Sequence, residues 1–408
     1  MNNNNKKISS RRAETVHLLN RPTVPYYLLL FSVFFLTGLG LVMVLSASSV
    51  KSLEQSGNSY AVFLKQLLFL VVASLFAFIA SRMPPQSWLA IAKVAIFASA
   101  AFLILPQIHG IGKTINGNTN WIGFGPFTIQ PSDFAKFGLI LYCSLQLKRY
   151  EERADGERPL NPIGLLLPGV LTVLILIMLG RDLGTALIVM AIAGSMLFIC
   201  GLRFRHFILI ALISGVAVTA LAITHPNRRT RFVAFLDPFS QHFYKDAGWQ
   251  TAHSIMGLAS GGLFGVGLGA SRQKWGNLSE ANTDFIFSVI GEEMGLVGTL
   301  LVLALYAILI YAIFRISVQT KDIFSRYVCA GIACWLMVQV AVNLGSDIGV
   351  FPVIGVTLPF ISYGGSALVA NFIGIGFVAN VARREPEVRK YLQDQKLSSK
   401  SKSSGTAS

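Results

Sequence analysis

Asp284 stands at the head of a long apolar run, in residues 271–287, SRQKWGNLSEANTDFIF, which also hold Gln273, Lys274 and Glu280. A carboxylate at a water–lipid boundary with cationic and polar neighbours is placed to act as a general base on a lipid-linked substrate. The bland alternative is an acid favourably set at the positive end of a helix dipole, worth about 0.3–1 kcal/mol. Glu292 and Glu293 follow on the same run, about 12 Å along a helix, too far to pair with Asp284 unless the helix is broken.

Polar residues inside a membrane span are costly, so each is a functional candidate. Asp133 and Lys136 lie three apart after the loop IGKTINGNTNWIGFGPFTIQ, on one face of a helix that Pro131 can open. They read equally well as a structural ion pair. Trp121 in that loop sits at interface depth, where an aromatic anchor is the plain reading. Asp182, in GRDLGTA, either caps the next helix or faces a shared cavity, and spacing does not separate the two. A loop over 224–284 opens with Arg228, Arg229 and Arg231, guanidinium groups suited to gripping a diphosphate or anionic headgroups. Gly257, Gly261, Gly265 and Gly269 recur every four residues, a smooth packing face if helical. Finally, residues 343–368 carry Pro352, Gly355, Pro359, Gly364 and Gly365, which break any helix and set Ser362 and Tyr363 on irregular backbone. Such backbone at membrane depth must be buried in protein or line a wet cavity. Asp347 there has no neighbour of opposite sign. No Ser-His-Asp, metal-ligand or phosphate-loop arrangement occurs, so direct displacement fits better than a covalent intermediate.

The elements that must position these groups are membrane helices. In 408 residues, 53% are hydrophobic and only 13% charged, against roughly a quarter charged in soluble chains. A helix needs about 20 apolar residues to cross the hydrocarbon. That spacing predicts an all-α integral membrane protein with ten spans over 26–46, 61–81, 88–105, 131–147, 163–179, 184–201, 206–223, 285–314, 324–344 and 365–382. The eighth is overlong and should tilt or project. An even number puts both termini on one side, and the excess of Lys and Arg on the segments of that side makes it cytoplasmic. The four polar segments then share the outer face. The expected organisation is a basic disordered tail over 1–25, a membrane domain over 26–384 and a second basic tail over 385–408. The formal charge of +15 is accounted for by topology and attraction to anionic membrane lipid, with no nucleic acid partner expected. Cys143, Cys200, Cys329 and Cys334 lie in apolar runs without metal spacing and read as buried thiols.

Six ordered motifs, NWIGFGPFTIQPSDFAK, RDLGTA, RFVAFLDPF, GGLFGVGLGASRQKW, ANTDFIFSVIGEEMG and GVFPVIGVTLPFISYGGS, carry a further signal. Over residues 26–384 the chain resembles the SEDS family of peptidoglycan glycosyltransferases, whose members share a ten-helix fold. SRQKW before the acidic stretch and GEEMG after it are more similar to the division branch than to the elongation branch, while some sporulation members resemble the division branch closely, so an elongation or sporulation paralogue with the same chemistry stays the alternative. The resemblance implies polymerisation of lipid II into glycan strands outside the bacterial cytoplasmic membrane, at the division septum, with undecaprenyl diphosphate leaving. It implies Asp284 as the catalytic residue. It also implies roles at Trp121, Asp133, Lys136 and Asp182, to which the residue-level reading adds Arg231, Gln273, Lys274, Glu280 and Ser362 as substrate contacts. A class B penicillin-binding protein (a transpeptidase) and divisome regulators are the implied partners. A divalent cation, Mg or Mn, near the diphosphate is implied too, though no ligand spacing demonstrates one. The chain departs from the family at five places: the Pro and His of LPEAHTDF are absent, Asp133 replaces Glu, Arg181 replaces a common proline, His253 replaces Gln, and Ser346-Asp347 replaces an apolar pair. The lost His weakens any mechanism using it as a second acid/base group.

Two other classes compete with the enzyme. A lipid II flippase would use the intramembrane charges but needs polar groups through the full bilayer depth, whereas these cluster on one face. A scaffold would act through its tails.

Overall fold

The computed structural model describes residues 23–115, 118–125, 127–153, 161–203 and 233–390, with single positions at 205, 208, 215 and 230. Most of the predicted seventh span, the three arginines 228, 229 and 231, and nearly all of both tails lie outside the described residues.

The helices are α1 (Thr23–Ser56), α2 (Ala61–Arg82), α3 (Pro85–Ile104), α4 (Pro131–Glu152), α5 (Pro162–Leu179), α6 (Leu183–Ile199), α7 (Trp249–Ser260), α8 (Ile286–Gln319), α9 (Ile323–Asp347) and α10 (Gly365–Arg384). Among the described residues, seven are long and apolar enough to cross a membrane: α1, α2, α3 (extended to Gln107), α5, α8, α9 and α10. The chain is an all-α, multi-pass membrane protein. The predicted fourth span is α4, which Asp133, Lys136, Lys148 and Arg149 keep from being uniformly apolar. The sixth is α6, apolar but only 17 residues long.

Local chemistry sets the helix starts. Pro131 opens α4 with Asp133 in its first turn. Asp182 caps α6 by accepting from Thr185 N at 2.9 Å, and Asp322 caps α9 through Ser325 N at 2.9 Å.

The centre of the bundle is α9 and α10, whose apolar windows are 78% and 89% buried, whereas α2 is only 11% buried and faces outward. The α2–α10 backbones approach so closely that a Cβ on Gly376 would lie 2.5 Å from Ala77 O. Asn380 adds hydrogen bonds to Ala80 O and Met83 O, at 3.1 and 2.8 Å.

Two sequence expectations change here. The 111–130 loop is a three-stranded antiparallel sheet, β1 (Gly112–Ile115), β2 (Asn118–Phe124) and β3 (Phe127–Ile129), in the order β1-β2-β3. The overlong eighth span neither simply tilts nor projects, because it breaks at Gly295 (φ 66°, ψ −162°). A Cβ on Gly291 would meet Thr299 Cγ2 at 3.4 Å, although positions this far apart on a straight helix are separated by about 12 Å. The short limb 286–294 therefore folds back on the long limb 296–319.

Residues 262–267 stitch the break. Val266 N and Gly267 N donate to Glu292 O and Glu293 O at 2.9 and 3.1 Å, while Leu296 N and Val297 N donate to Gly262 O and Leu263 O at 2.9 and 3.1 Å. The expected glycine stripe is accordingly helical only as far as α7 reaches, through Ser260. Gly265 (φ +79°) is left-handed, and a Cβ there would strike Glu293 O.

Candidate functional site

The run Asn282-Thr283-Asp284 is held by its backbone. Tyr363 N donates to Asn282 O at 2.9 Å, Ser362 Oγ to Thr283 O at 2.5 Å, and Asn343 Nδ2 to Asp284 O at 2.6 Å. The clamp is itself fixed. Ser362 Oγ accepts from Leu358 N at 2.8 Å, Asn343 Nδ2 also reaches Val356 O at 2.7 Å, and Gln66 Nε2 donates to Ser362 O at 3.3 Å. The irregular segment between α9 and α10 thus serves as a mould for the Asp284 turn, its backbone paired with protein, one of the two settings that irregular backbone at membrane depth requires.

Main-chain contacts leave the Asp284 side chain free. Among the described residues no hydrogen bond reaches its carboxylate, which is half-buried and still meets solvent. Burial raises its pKa to about 7, helped by the negative charges of Glu280 and Asp182. The sequence reading took Asp284 as simply ionised. The structure places it near the midpoint of its titration at neutral pH, where a carboxyl group can both accept and return a proton. Glu280 sits in the left-handed region (φ 59°) and accepts from Thr283 Oγ1 at 2.9 Å.

Asp182 is the opposite case. Its carboxylate accepts from Thr185 N and Oγ1, Asn120 Nδ2 and Gln130 Nε2, at 2.9, 2.7, 2.6 and 3.1 Å. It caps α6, as one of the two sequence readings had it, and its negative charge adds to the raising of the Asp284 pKa. A small cleft beside it is lined by Leu103, Asn120, Ser132, Ile177 and Asp182, and Asp284 is not part of that lining.

Asp133 and Lys136 form a buried pair at 3.0 Å. Ser366 Oγ donates to Asp133 at 2.8 Å and accepts from Gln130 N at 3.2 Å. Lys136 Nζ reaches Gln339 Oε1 at 3.4 Å, and Gln339 Nε2 donates to Thr357 O at 2.9 Å. One segment, 356–366, therefore touches the Asp284 turn, the Asp133–Lys136 pair and, through Gln130, Asp182.

Gln273 and Lys274 go elsewhere. Lys274 Nζ lies 3.4 Å from Glu293 Oε1 and also donates to Gly269 O, and Glu293 accepts from Ser46 Oγ at 2.6 Å. Glu292 accepts from Ser271 Oγ, Arg272 N and Gln273 N, at 2.5, 3.0 and 3.4 Å. Gln273 Oε1 lies 3.0 Å from His253 Nδ1. Sequence adjacency had set both residues at the mouth beside Asp284. In the fold they pin the outer loop to α1 and α8, because the short limb carries Glu292 and Glu293 away to the break. Trp121 lies in β2 opposite Lys113, on the other strand face from Asn120, and Arg231 is outside the described residues.

Asn120, Gln130, Gln339, Asn343 and Ser366 were missed as site residues. Gln339 and Asn343 had a usable signal, being amides inside an apolar helix. The described residues contain no group of three His, Cys, Asp or Glu side chains able to hold a metal ion. Asp182's oxygens are already engaged, so among the described residues Asp284 and Glu280 are the carboxyl groups that could meet a cation carried by a diphosphate.

Comparison with known proteins follows the same outline. A family model described as "Cell cycle protein", FTSW_RODA_SPOVE, matches residues 27–387. The chain is 39% identical to the probable peptidoglycan glycosyltransferase FtsW of Coxiella burnetii over 85% of this chain and 93% of that one. It is 33% identical to stage V sporulation protein E of Bacillus subtilis, over 90% and 99%. A chain from a structure described as "Structural coordination of polymerization and crosslinking by a peptidoglycan synthase complex" aligns with TM-score 0.70 at 30% identity, covering 87% of this chain and 96% of that one. The Thermus thermophilus rod shape determining protein RodA aligns with TM-score 0.64 at 29% identity, over 88% and 96%.

Proposed function

The chain belongs to the FtsW–RodA–SpoVE family, and from that premise we propose how its site works. It is a peptidoglycan glycosyltransferase with an FtsW-like role in division, as its relatives' names and the synthase-complex match support. The substrate is lipid II. An acceptor sugar hydroxyl attacks the anomeric carbon of the donor, the C–O bond to the diphosphate breaks with its electron pair, and undecaprenyl diphosphate departs. Asp284 takes the hydroxyl proton as the new glycosidic bond forms.

The observation that carries this reading is the Asp284 carboxyl group itself: its turn held through the carbonyls of Asn282, Thr283 and Asp284, its side chain without a donor among the described residues, its pKa raised to about 7 by burial and by Glu280 and Asp182. The rigid mould at 356–366 sets its position, and the buried Asp133–Lys136 pair braces the same segment. A divalent cation, Mg or Mn, would be brought by the diphosphate rather than held by a protein ligand set, and no step above depends on it. The face with the sheet and long loop is extracytoplasmic, and both termini are cytoplasmic. The protein works at the septum beside a class B penicillin-binding protein and divisome regulators, with the basic tails meeting anionic lipid.

Purified protein with lipid II in detergent, with its transpeptidase partner present, tests the reading. Glycan polymer is expected for the native chain and loss of about 10²–10⁴ in rate for Asp284→Ala, with unchanged thermal unfolding. Translocation of lipid II in vesicles without polymer in detergent would identify a flippase instead.

A further inference from the structure

Residues 262–270, GLFGVGLGA, contain no polar or charged side chain, yet they lie outside any helix and are almost wholly exposed. Leu263 is 63% exposed, Phe264 80% and Leu268 64%, with Val266 and Trp275 also open. In water, a patch of this kind is a liability in a loop. Two further observations say where it sits.

The first is its backbone. An irregular segment enters hydrocarbon only if its amides and carbonyls are satisfied by protein. Much of the segment meets that condition: Val266 N and Gly267 N are taken by Glu292 O and Glu293 O, Gly262 O and Leu263 O by Leu296 N and Val297 N, Gly265 N by Gly261 O, and Ala270 N by Gly267 O, while Leu268 N has no backbone partner among the described residues, which keeps the segment at the shallow, hydrated edge of the leaflet. The second is continuity. Leu296, Val297, Leu300 and Leu301, which begin the long membrane-crossing limb of α8, are themselves exposed at 48–55%. The loop's apolar side chains therefore start where a membrane span starts.

We infer that residues 262–268, flanked by Trp275, form a shallow insertion into the lipid leaflet on the loop face, their occupant being the acyl-chain boundary itself. Leu263, Phe264, Val266 and Leu268 supply the apolar contact, and Trp275 takes the interfacial place favoured by tryptophan. The stitched break at Gly295 ties this insertion to the short limb that begins just after Asp284. The depth of the insertion thus sets the height of the Asp284 turn relative to the headgroups. The insertion itself stands on geometry alone and does not depend on the reaction proposed above.

The test uses the full chain in nanodiscs of phosphatidylethanolamine and phosphatidylglycerol. Cys143, Cys329 and Cys334 are buried, so a Cys200→Ser background receives Phe264→Cys or Leu268→Cys, each labelled with a bimane fluorophore. Leu296→Cys is the lipid reference and Lys245→Cys, in an exposed turn, the water reference. Acyl-brominated lipid is expected to quench the labels at 264 and 268 as strongly as at 296. Aqueous iodide is expected to quench them several-fold less than at 245. Iodide quenching equal to that at 245 would overturn the inference, as would shielding from both quenchers, which would mean a protein partner or a second copy covers the patch. Both replaced side chains are exposed, so the two positions report independently without disturbing the core.

Discussion

At one end of the short α8 limb, Glu292 and Glu293 are buried among donors: Ser46, Ser271, Arg272, Gln273 and Lys274 all point hydrogen at them. At the other end, the Asp284 carboxylate receives none among the described residues, although its backbone is gripped by Asn343 and Ser362 acts on its neighbour Thr283. A saturated carboxylate is a fastener, since its lone pairs are occupied and its charge is compensated. One that is fixed in place but left without donors has a raised proton affinity and free lone pairs, which is what a base requires. The acids at the two ends of this limb thus divide by their donors as well as by their exposure.

Breaking the fastener tests that division most severely. Lys274→Ala leaves Glu293 buried without its cation, and about 3–5 kcal/mol of stability should be lost, read as a large fall in Tm by dye-based unfolding in detergent. The double variant Lys274→Met with Glu293→Leu should recover most of that loss. If Lys274→Ala instead left Tm intact while removing activity, the cluster would belong to the site after all.

Asp347 sharpens the comparison from the other side. It is fully buried, no side chain donates to its carboxylate among the described residues, and the backbone amide of Ser288 is the one donor that acts on it. Such a group carries a desolvation penalty of about 1–3 kcal/mol, so Asp347→Leu should raise Tm, and a fall would mean that the Ser288 contact outweighs the penalty. The smallest effect concerns Glu280, whose negative charge helps raise Asp284. Glu280→Gln should lower the midpoint of the pH–rate profile by less than about one unit, with the plateau rate at high pH preserved.

Much of this fold could be read from hydropathy, because a bilayer demands long apolar helices and tolerates few alternatives. The irregular 348–364 segment was equally legible from its Pro and Gly residues. The break at Gly295 was not. An apolar run looks the same whether straight or folded back, and what holds the fold-back is backbone pairing with residues 262–267, far away in sequence. The same cause misplaced Gln273 and Lys274: near Asp284 in sequence, they follow Glu292 and Glu293 once the limb turns. The sheet at 112–129 was missed because its strands are short and rich in Gly, Asn and Thr, the residues of turns. Asp284 itself was singled out by residue type and position, whereas the burial that raises its proton affinity, with smaller contributions from the charges of Glu280 and Asp182, comes only with the fold.

In the mechanism proposed above Asp284 is the base, and its burial, with the charges of Glu280 and Asp182, sets its titration near neutrality. The most direct test is the pH dependence of kcat/KM for lipid II polymerisation by the purified protein, which reports the free enzyme's essential base. A base with a raised pKa is inactive while protonated, so the rate should climb with rising pH through a midpoint of about 7 and level off above it. A profile flat across about pH 5–8, or one with its midpoint near the ordinary carboxylate value of about 4, would contradict the account.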